Sequence, residues 1–574
     1  MKTPIVLLAG FSSLLFSFAL NGPVRAAEDK PVVIAGVSRT EALRLGERMY
    51  REGILPSGGP MRAVVKGDIP VTGTAFTCLS CHLRSGLGSV EGGIVTPPTN
   101  GSYLYKPLRQ LHKGIEISSA PVLRPAYTDA SLADALRGGI DPSGRRLNEV
   151  MPRYLLQDND MAILIFYLKS LSSQFSPGVS DTTLRFATVI TDDVDPASRD
   201  AMIIPLEKFI TYKNNQAAYY ETRAGVRSAR MAESMLLSPE TAYKRLSLAR
   251  WLLKGPPDTW RGQLEEYYRR EPVFALLGGM AKNGWQPIHR FSEDNRIPCI
   301  LPITDLPVIS DTDWHTLYFS KGLYQEGEGA ARYLNSIGAM VKGGPVLQLV
   351  RASREGRALS AGFQETWRGL GHQAPVTVTL RSGETATMDS LLKVLSGEKP
   401  SVVLLWDGPE TLASLEAWAS SGQRPEMVFV SSSYVGKGIW TLPDEARGFT
   451  YLTYPFRLPR DEERYTGAVE SFMGMNKVQG DALIILKKVY SAVQVLSQAL
   501  MDMKGNYYRD NLLDVIGTSM GAGGMDVAQD RTYPLYERFS LGPGQRYASK
   551  GCYIVQLTKG PGPELVKKSD WVIH

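Results

Sequence analysis

The tightest constraint on this chain is the stretch Cys78-Leu79-Ser80-Cys81-His82. Two thiols three positions apart, with a histidine directly after the second, form the attachment site of a c-type haem. Each cysteine can bond one vinyl group of the macrocycle. The histidine is then held beneath it, where its imidazole can ligate iron. The spacing has two other readings. A thioredoxin-like redox pair would sit beside a βαβ pattern, which the flanking sequence lacks. Half of a zinc site would need a second cysteine or histidine pair nearby, and His112 alone does not supply one. Gly73, Gly86, Gly88, Gly92 and Gly93 surround the motif. They suit a macrocycle that leaves little room for side chains, and they equally suit a flexible loop.

The start of the chain points to a compartment outside the cytoplasm. Lys2 is followed by an apolar run from Ile5 to Leu20, and Val24-Arg25-Ala26 offers small residues to a signal peptidase. Residues 1–26 therefore read as a secretory signal, too short to span a bilayer comfortably. Ala482 to Met501 is the most apolar segment downstream, but Lys487 and Lys488 interrupt it, so it reads as a buried helix. No transmembrane segment is expected after signal cleavage. The formal charge of +6 is small for 574 residues, which argues against nucleic acid as a partner. Of the four cysteines, Cys299 and Cys552 remain outside the motif. They could pair in an oxidising compartment or stay as separate buried thiols.

Around the motif the pattern is helical. Glu41 to Arg51 places Leu43, Leu45 and Met49 among charges; Ser131 to Gly138 is a short helix; Asp158 to Leu171 carries Met161, Leu164, Ile165 and Leu168 on one side. Between the last two lies Leu147-Asn148-Glu149-Val150-Met151-Pro152. With these features, residues 40–172 resemble a monohaem cytochrome c domain of the small, all-α kind. The resemblance implies that Met151, in its Met-Pro setting before the closing helix, is the sixth iron ligand opposite His82. His112 is the rival ligand, and Met161 is better explained as core. A thioether raises the haem potential relative to two imidazoles. With both axial positions filled, electron transfer is favoured over oxygen or peroxide chemistry. Tyr103 to Arg153 carries eight Lys or Arg against five Asp or Glu. Such a face would steer an acidic redox partner, and is equally an ordinary solvated surface.

Residues 173–183 read as a linker, and the pattern then changes. Strand-like runs at 185–190, 246–253, 273–277 and 297–303 alternate with helical runs at 197–213, 259–269 and 322–337. A second set follows, with strands at 346–350, 376–380, 402–406 and 427–430 and a helix at 354–370. This alternation predicts parallel sheets covered by helices, in two lobes. Gly480 to Lys504 reads as a long helix of the first lobe, and 533–573 as terminal strands. Residues 184–574 resemble the type I periplasmic solute-binding proteins, the group that includes branched-chain amino-acid receptors. The resemblance implies a ligand cleft between the lobes, at loops following the strands. Its candidates are Gly279 and Met280, Thr304 and Asp305, Asp407, and Ser432 within the run Ser431 to Ser433. Members often carry a hydroxyl where Gly279-Met280 stands, so an amino acid is a poor expectation for the ligand.

The expectation is therefore a multidomain periplasmic chain: an all-α cytochrome c domain, then a two-lobed α/β domain. One covalent haem c would carry electrons to or from a periplasmic redox partner, a dehydrogenase or another cytochrome. The two-lobed domain would bind a small molecule or dock the partner. No enzyme signature is present: His289, His315 and His372 stand apart from any nucleophile pattern, and Gly278-Gly279 lacks phosphate-loop spacing. The alternative is a solute-binding receptor of a transport system with an appended cytochrome, whose partner would be a membrane permease. A haem enzyme with a vacant sixth site is a weaker third reading.

Overall fold

The computed structural model describes residues 33–573 apart from 67, 92–93, 109–123, 224–243, 339–343, 382–396, 398, 421–423, 463–466, 477–481, 522–532 and 543. The expected signal segment and His112 lie outside the described residues. Helix α1 (Arg39–Glu52) begins where the Ser38 hydroxyl accepts the Glu41 amide at 3.3 Å, and it ends at Gly53. Strands β1 (Arg62–Val65) and β2 (Ile69–Thr72) follow, then the short helix α2 (Cys78–His82), α3 (Asp129–Gly138), β3 (Arg153–Tyr154) and α4 (Asp158–Ser170).

The N-terminal domain is therefore not all-α. Strand β1 pairs antiparallel with both β2 and β3. The β-branched residues Val64, Val65, Ile69 and Val71 favour extended backbone. Residues this close to the cysteine motif read as loop in the sequence because each run is only a few residues long. Helices α1 and α4 cross at Gly46, where a Cβ would lie 2.4 Å from the Cβ of Tyr167. Close approach lets the Tyr50 and Tyr167 rings meet at 5.6 Å between centroids. Met161 is buried in the core beneath them, alongside Leu164 and Leu168.

The segment after α4 is packed rather than free: Phe175 lies against the rings of Tyr507 and Tyr508. Lobe 1 then opens with β4 (Thr183–Thr191), α5 (Pro196–Arg223), β5 (Arg245–Leu253), α6 (Trp260–Arg270), β6 (Ala275–Leu277), α7 (Gln286–Asp294), β7 (Cys299–Ile300) and β8 (Thr316–Leu317). Its sheet is parallel throughout, in the order β8-β7-β6-β4-β5. The strand expected over 297–303 shrinks to two residues. Pro298 and Pro302 offer no amide for the ladder, and Leu301 takes a left-handed φ of +53°.

Lobe 2 comprises α8 (Leu323–Ser336), β9 (Val346–Arg351), α9 (Arg354–Gly369), β10 (Val376–Leu380), β11 (Val402–Trp406), β12 (Met427–Ser431) and β13 (Thr450–Tyr454). The chain then returns to lobe 1 as α10 (Ala482–Asp502) and α11 (Arg509–Gly521), whose apolar faces join the core of β4 and β6. It ends in lobe 2 as β14 (Tyr553–Leu557) and β15 (Leu565–Lys567). The lobe 2 sheet runs β10-β9-β11-β12-β13-β14-β15, parallel up to β13 and antiparallel beyond it. The architecture is a two-lobed α/β fold behind a smaller N-terminal domain. By length and composition α10 could cross a membrane, but its apolar face packs into lobe 1 and Lys488 points to Asp305 at 3.4 Å. Cys299 and Cys552 are unpaired and buried in the cores of different lobes.

Candidate functional site

The cysteine motif folds as one helical turn and a half. The Thr77 hydroxyl accepts the Ser80 amide at 3.2 Å and caps α2. A spacing of three then sets Cys78 and Cys81 on the same helical face. Neither is in a disulfide. Burial pushes the Cys78 thiol up to about 11, so it is protonated at neutral pH.

Both sulfurs, His82 and Met151 line one cavity of about 690 Å³. That volume falls within the ~300–1,000 Å³ of small-molecule and cofactor pockets. Its walls include Leu104, Tyr127, Leu132, Leu136 and Leu168, with Arg124, Arg145 and Arg146 adding cationic groups. The His82 Nδ1 lies 2.9 Å from the Pro97 carbonyl oxygen. A carbonyl can only accept, so Nδ1 carries the proton and Nε2 keeps its lone pair. Burial lowers the ring's pKa to about 4, which keeps it neutral. A neutral imidazole oriented by a carbonyl is the form in which histidine ligates metal.

The opposite wall is held by Arg153. Its guanidinium donates to the carbonyls of Met151, Leu147 and Asn148, the last two at 3.2 and 3.3 Å. Gly139, at φ +67°, makes space for it; a Cβ there would sit 1.9 Å from the Arg153 Nε. The Asp141 carboxylate accepts the amides of Ser143 and Arg145 at 2.8 and 3.0 Å, closing the turn that leads to Met151. Tyr154 donates to the Phe76 carbonyl at 2.8 Å and ties this wall to the approach to α2. The residues present thus suit a covalently held haem: two thiols on one helical face, a neutral imidazole and a thioether lining the same largely apolar cavity, and cations among its walls.

The segment just after His82 is docked on lobe 1. Asp514 of α11 accepts the amides of Arg84 and Ser85 at 3.3 and 2.8 Å. Burial and the neighbouring Asp510 push the Asp514 carboxyl up to about 7. Asp510 pairs with Arg51 at 2.7 Å. Glu47 takes both ends of the Arg296 guanidinium, at 2.7 and 2.9 Å. Arg84 stacks over the Trp314 ring at 4.2 Å. Sequence inspection missed these residues because their partners are hundreds of positions away.

The cleft candidates are distributed differently. The Met280 amide donates to Val189 O at 2.9 Å and its carbonyl accepts the Thr191 amide at 3.1 Å, so Met280 continues the ladder beside β4. Gly279, at φ +104°, has no room for a side chain beside Trp285 and Val189. Thr304 uses its hydroxyl to accept the Leu306 amide at 3.1 Å. Asp407 is held by Arg351 through two contacts of 2.7 Å, by Thr411 at 2.5 Å and by the Gly408 amide at 2.8 Å. Those partners account for a structural tie. Ser432 keeps a buried hydroxyl with no partner among the described residues.

The residue that sequence reasoning missed here is Glu326 of α8. It is fully buried, and it accepts the Thr453 hydroxyl at 2.6 Å. Ser431 and Ser433 also bond it, while burial pushes its carboxyl up to about 7 and the charge of Asp305 acts in the same direction. Glu326 therefore sits at the strand ends of lobe 2, within electrostatic reach of Asp305 of lobe 1. Its signal in the sequence is the small-residue run Gly327, Gly329, Ala330 and Ala331, the mark of a helix packed on all sides.

Neither a protein-family profile nor a curated protein sequence matches the chain. Similar solved structures include a branched-chain amino-acid ABC transporter protein from Thermus thermophilus with bound valine, 13% identical, covering 69% of this chain and 97% of that one at a TM-score of 0.46. A fatty-acid ABC transporter substrate-binding protein from Thermomonospora curvata is 16% identical, with coverages of 69% and 95% and a TM-score of 0.41. A solute-binding protein from R. palustris in complex with benzoate is 14% identical, with coverages of 68% and 99% and a TM-score of 0.43.

Proposed function

We propose that this chain is a periplasmic, two-part protein: an N-terminal cytochrome c domain that carries electrons on one covalent haem, joined to a two-lobed domain that binds a small solute or docks a redox partner. The observation that carries the reading is the convergence of Cys78, Cys81, His82 and Met151 on one apolar cavity. Cys78 and Cys81 would form the two thioether bonds. His82 would offer Nε2 to the iron, with its Nδ1 proton held by Pro97, and Met151 would offer its sulfur from the loop clamped by Arg153. Haem in such a setting supplies one-electron chemistry at iron. The buried apolar walls exclude water, and the clamp on the 147–151 loop resists loss of the methionine ligand. Held by His82 and Met151 together, haem would serve electron transfer rather than chemistry on a substrate.

The test is spectroscopic. The mature protein, produced in a host that attaches c-type haem, should show a reduced α-band and a weak far-red band from the thioether. Met151→Ala should keep the haem, lose the far-red band and bind carbon monoxide readily when ferrous. A colourless wild-type protein would overturn the proposal.

A second reading is favoured by the architecture of the larger part. Parallel sheets in two lobes, with Asp305, Lys488, Glu326 and Thr453 meeting between them, suit a solute-binding receptor of a transport system whose cytochrome is an appendage. It predicts association with a membrane permease. Recovery of permease subunits from the native host would favour it; a redox enzyme would favour the first reading.

A further inference from the structure

A second cavity lies between the cysteine-motif helix and lobe 1. Its volume is about 240 Å³, and its walls are largely apolar: Leu79 and Leu83 on one side, Leu513 and Ile516 of α11 on the other. It is separate from the haem cavity and from the junction between the lobes. Two of the residues lining it, Trp314 and Arg546, each carry a buried polar atom without a partner among the described residues. The Trp314 Nε1 and the Arg546 Nη1 are shielded from solvent, and neither donates to any group among the described residues.

Arg546 is the more telling of the two. It is only 5% exposed, and Nη2 is satisfied by the Ser310 carbonyl at 2.5 Å. Its charge has no ion-pair partner among the described residues. Asp514, on the same wall, accepts the Arg84 and Ser85 amides, and Asp510 pairs with Arg51. A buried guanidinium with an open donor and no counter-charge is costly unless an anion completes it.

We infer that this cavity is a second ligand site, taking a small organic monocarboxylate whose oxygens meet Arg546 Nη1 and Trp314 Nε1 and whose hydrocarbon part lies between Leu79, Leu83, Leu513 and Ile516. The volume sits below the ~300–1,000 Å³ of drug-sized pockets, so the ligand is a short aliphatic or single-ring acid. Because Leu79 and Leu83 belong to or adjoin α2, the ligand would bridge the two parts of the molecule. The inference does not require that haem be attached.

The test is calorimetric titration of hexanoate and benzoate into the full-length purified protein, with hexanamide as the uncharged comparator. At least one acid should bind, and hexanamide should bind about tenfold more weakly than hexanoate or not at all, as loss of one charge-assisted hydrogen bond requires. Arg546→Gln should weaken acid binding by about tenfold or more. Thr518→Phe, which fills the cavity from α11 without touching either donor, should abolish it. If Arg546→Gln fails to fold, the Thr518→Phe variant and the amide comparator still decide. Binding of neither acid, equal binding of hexanoate and hexanamide, or binding that survives Thr518→Phe would overturn the inference.

Discussion

The cysteine-lined cavity and the two lobes use polar residues in opposite ways. In the N-terminal domain the groups with chemical potential face one cavity: two thiols outside any disulfide, an imidazole nitrogen and a thioether, with neighbours such as Pro97, Arg153 and Tyr154 positioning them. In the lobes the polar groups mostly satisfy one another, as in Asp407 with Arg351 in lobe 2 and Lys488 with Asp305 in lobe 1. An open group inside a protein costs stability, so it persists where something else completes it. A closed network stabilises the geometry but leaves little to offer a ligand. The exceptions are the Ser432 hydroxyl and the Oε1 atom of Glu326, neither of which has a hydrogen-bond partner among the described residues.

The contrast can be broken at its strongest point first. Cys78→Ser with Cys81→Ser should abolish covalent haem, measured as loss of haem stain on a denaturing gel, while the two-lobed domain stays folded by circular dichroism. Retained covalent haem would remove the difference between the two regions. Next, Asp407→Ala should leave the Arg351 guanidinium without its counter-charge and destabilise lobe 2 by about 3 kcal/mol, read from urea unfolding. A cost near zero would mean that Asp407 is free to serve a ligand after all.

A smaller effect should appear in the pH dependence. Glu326 and Asp514 both have carboxyls raised to about 7 in the folded protein, mainly by burial. The folded state then binds more protons than the unfolded state between about pH 4.5 and 7, so stability falls as pH rises through that window. Thermal unfolding should occur at higher temperature at pH 5.5 than at pH 8, and Glu326→Gln should flatten the difference. An unchanged slope in that variant would place the raised carboxyl elsewhere. The smallest effect belongs to Lys66 and Glu149, an exposed pair at 3.5 Å beside the Met151 loop. Lys66→Ala should change stability by no more than about 0.5 kcal/mol.

Much of this was legible because it is local. The Cys78-to-His82 motif is five adjacent residues, and the periodicity of α1, α3 and α4 follows from side chains a turn apart. The alternation of strand and helix from 183 onward announced two α/β lobes for the same reason. What misled was also local: β1, β2 and β3 are too short to show a period, and the run 297–303 looks like a strand although two prolines and a left-handed Leu301 break it. The engagement of Asp407 by Arg351 joins residues 56 positions apart, beyond any motif.

The amino-acid order by itself determined the Cys78-to-His82 motif and the alternation that builds the lobes, since each depends on spacings of a few residues. Only the tertiary structure decided that Met151 lines the same cavity as His82, that Asp514 holds the backbone after His82, and that Arg546 lies buried with no counter-charge among the described residues. Those facts come from chain segments brought together by packing, and the energy of burying a charged or polar group depends on neighbours that sequence distance does not reveal.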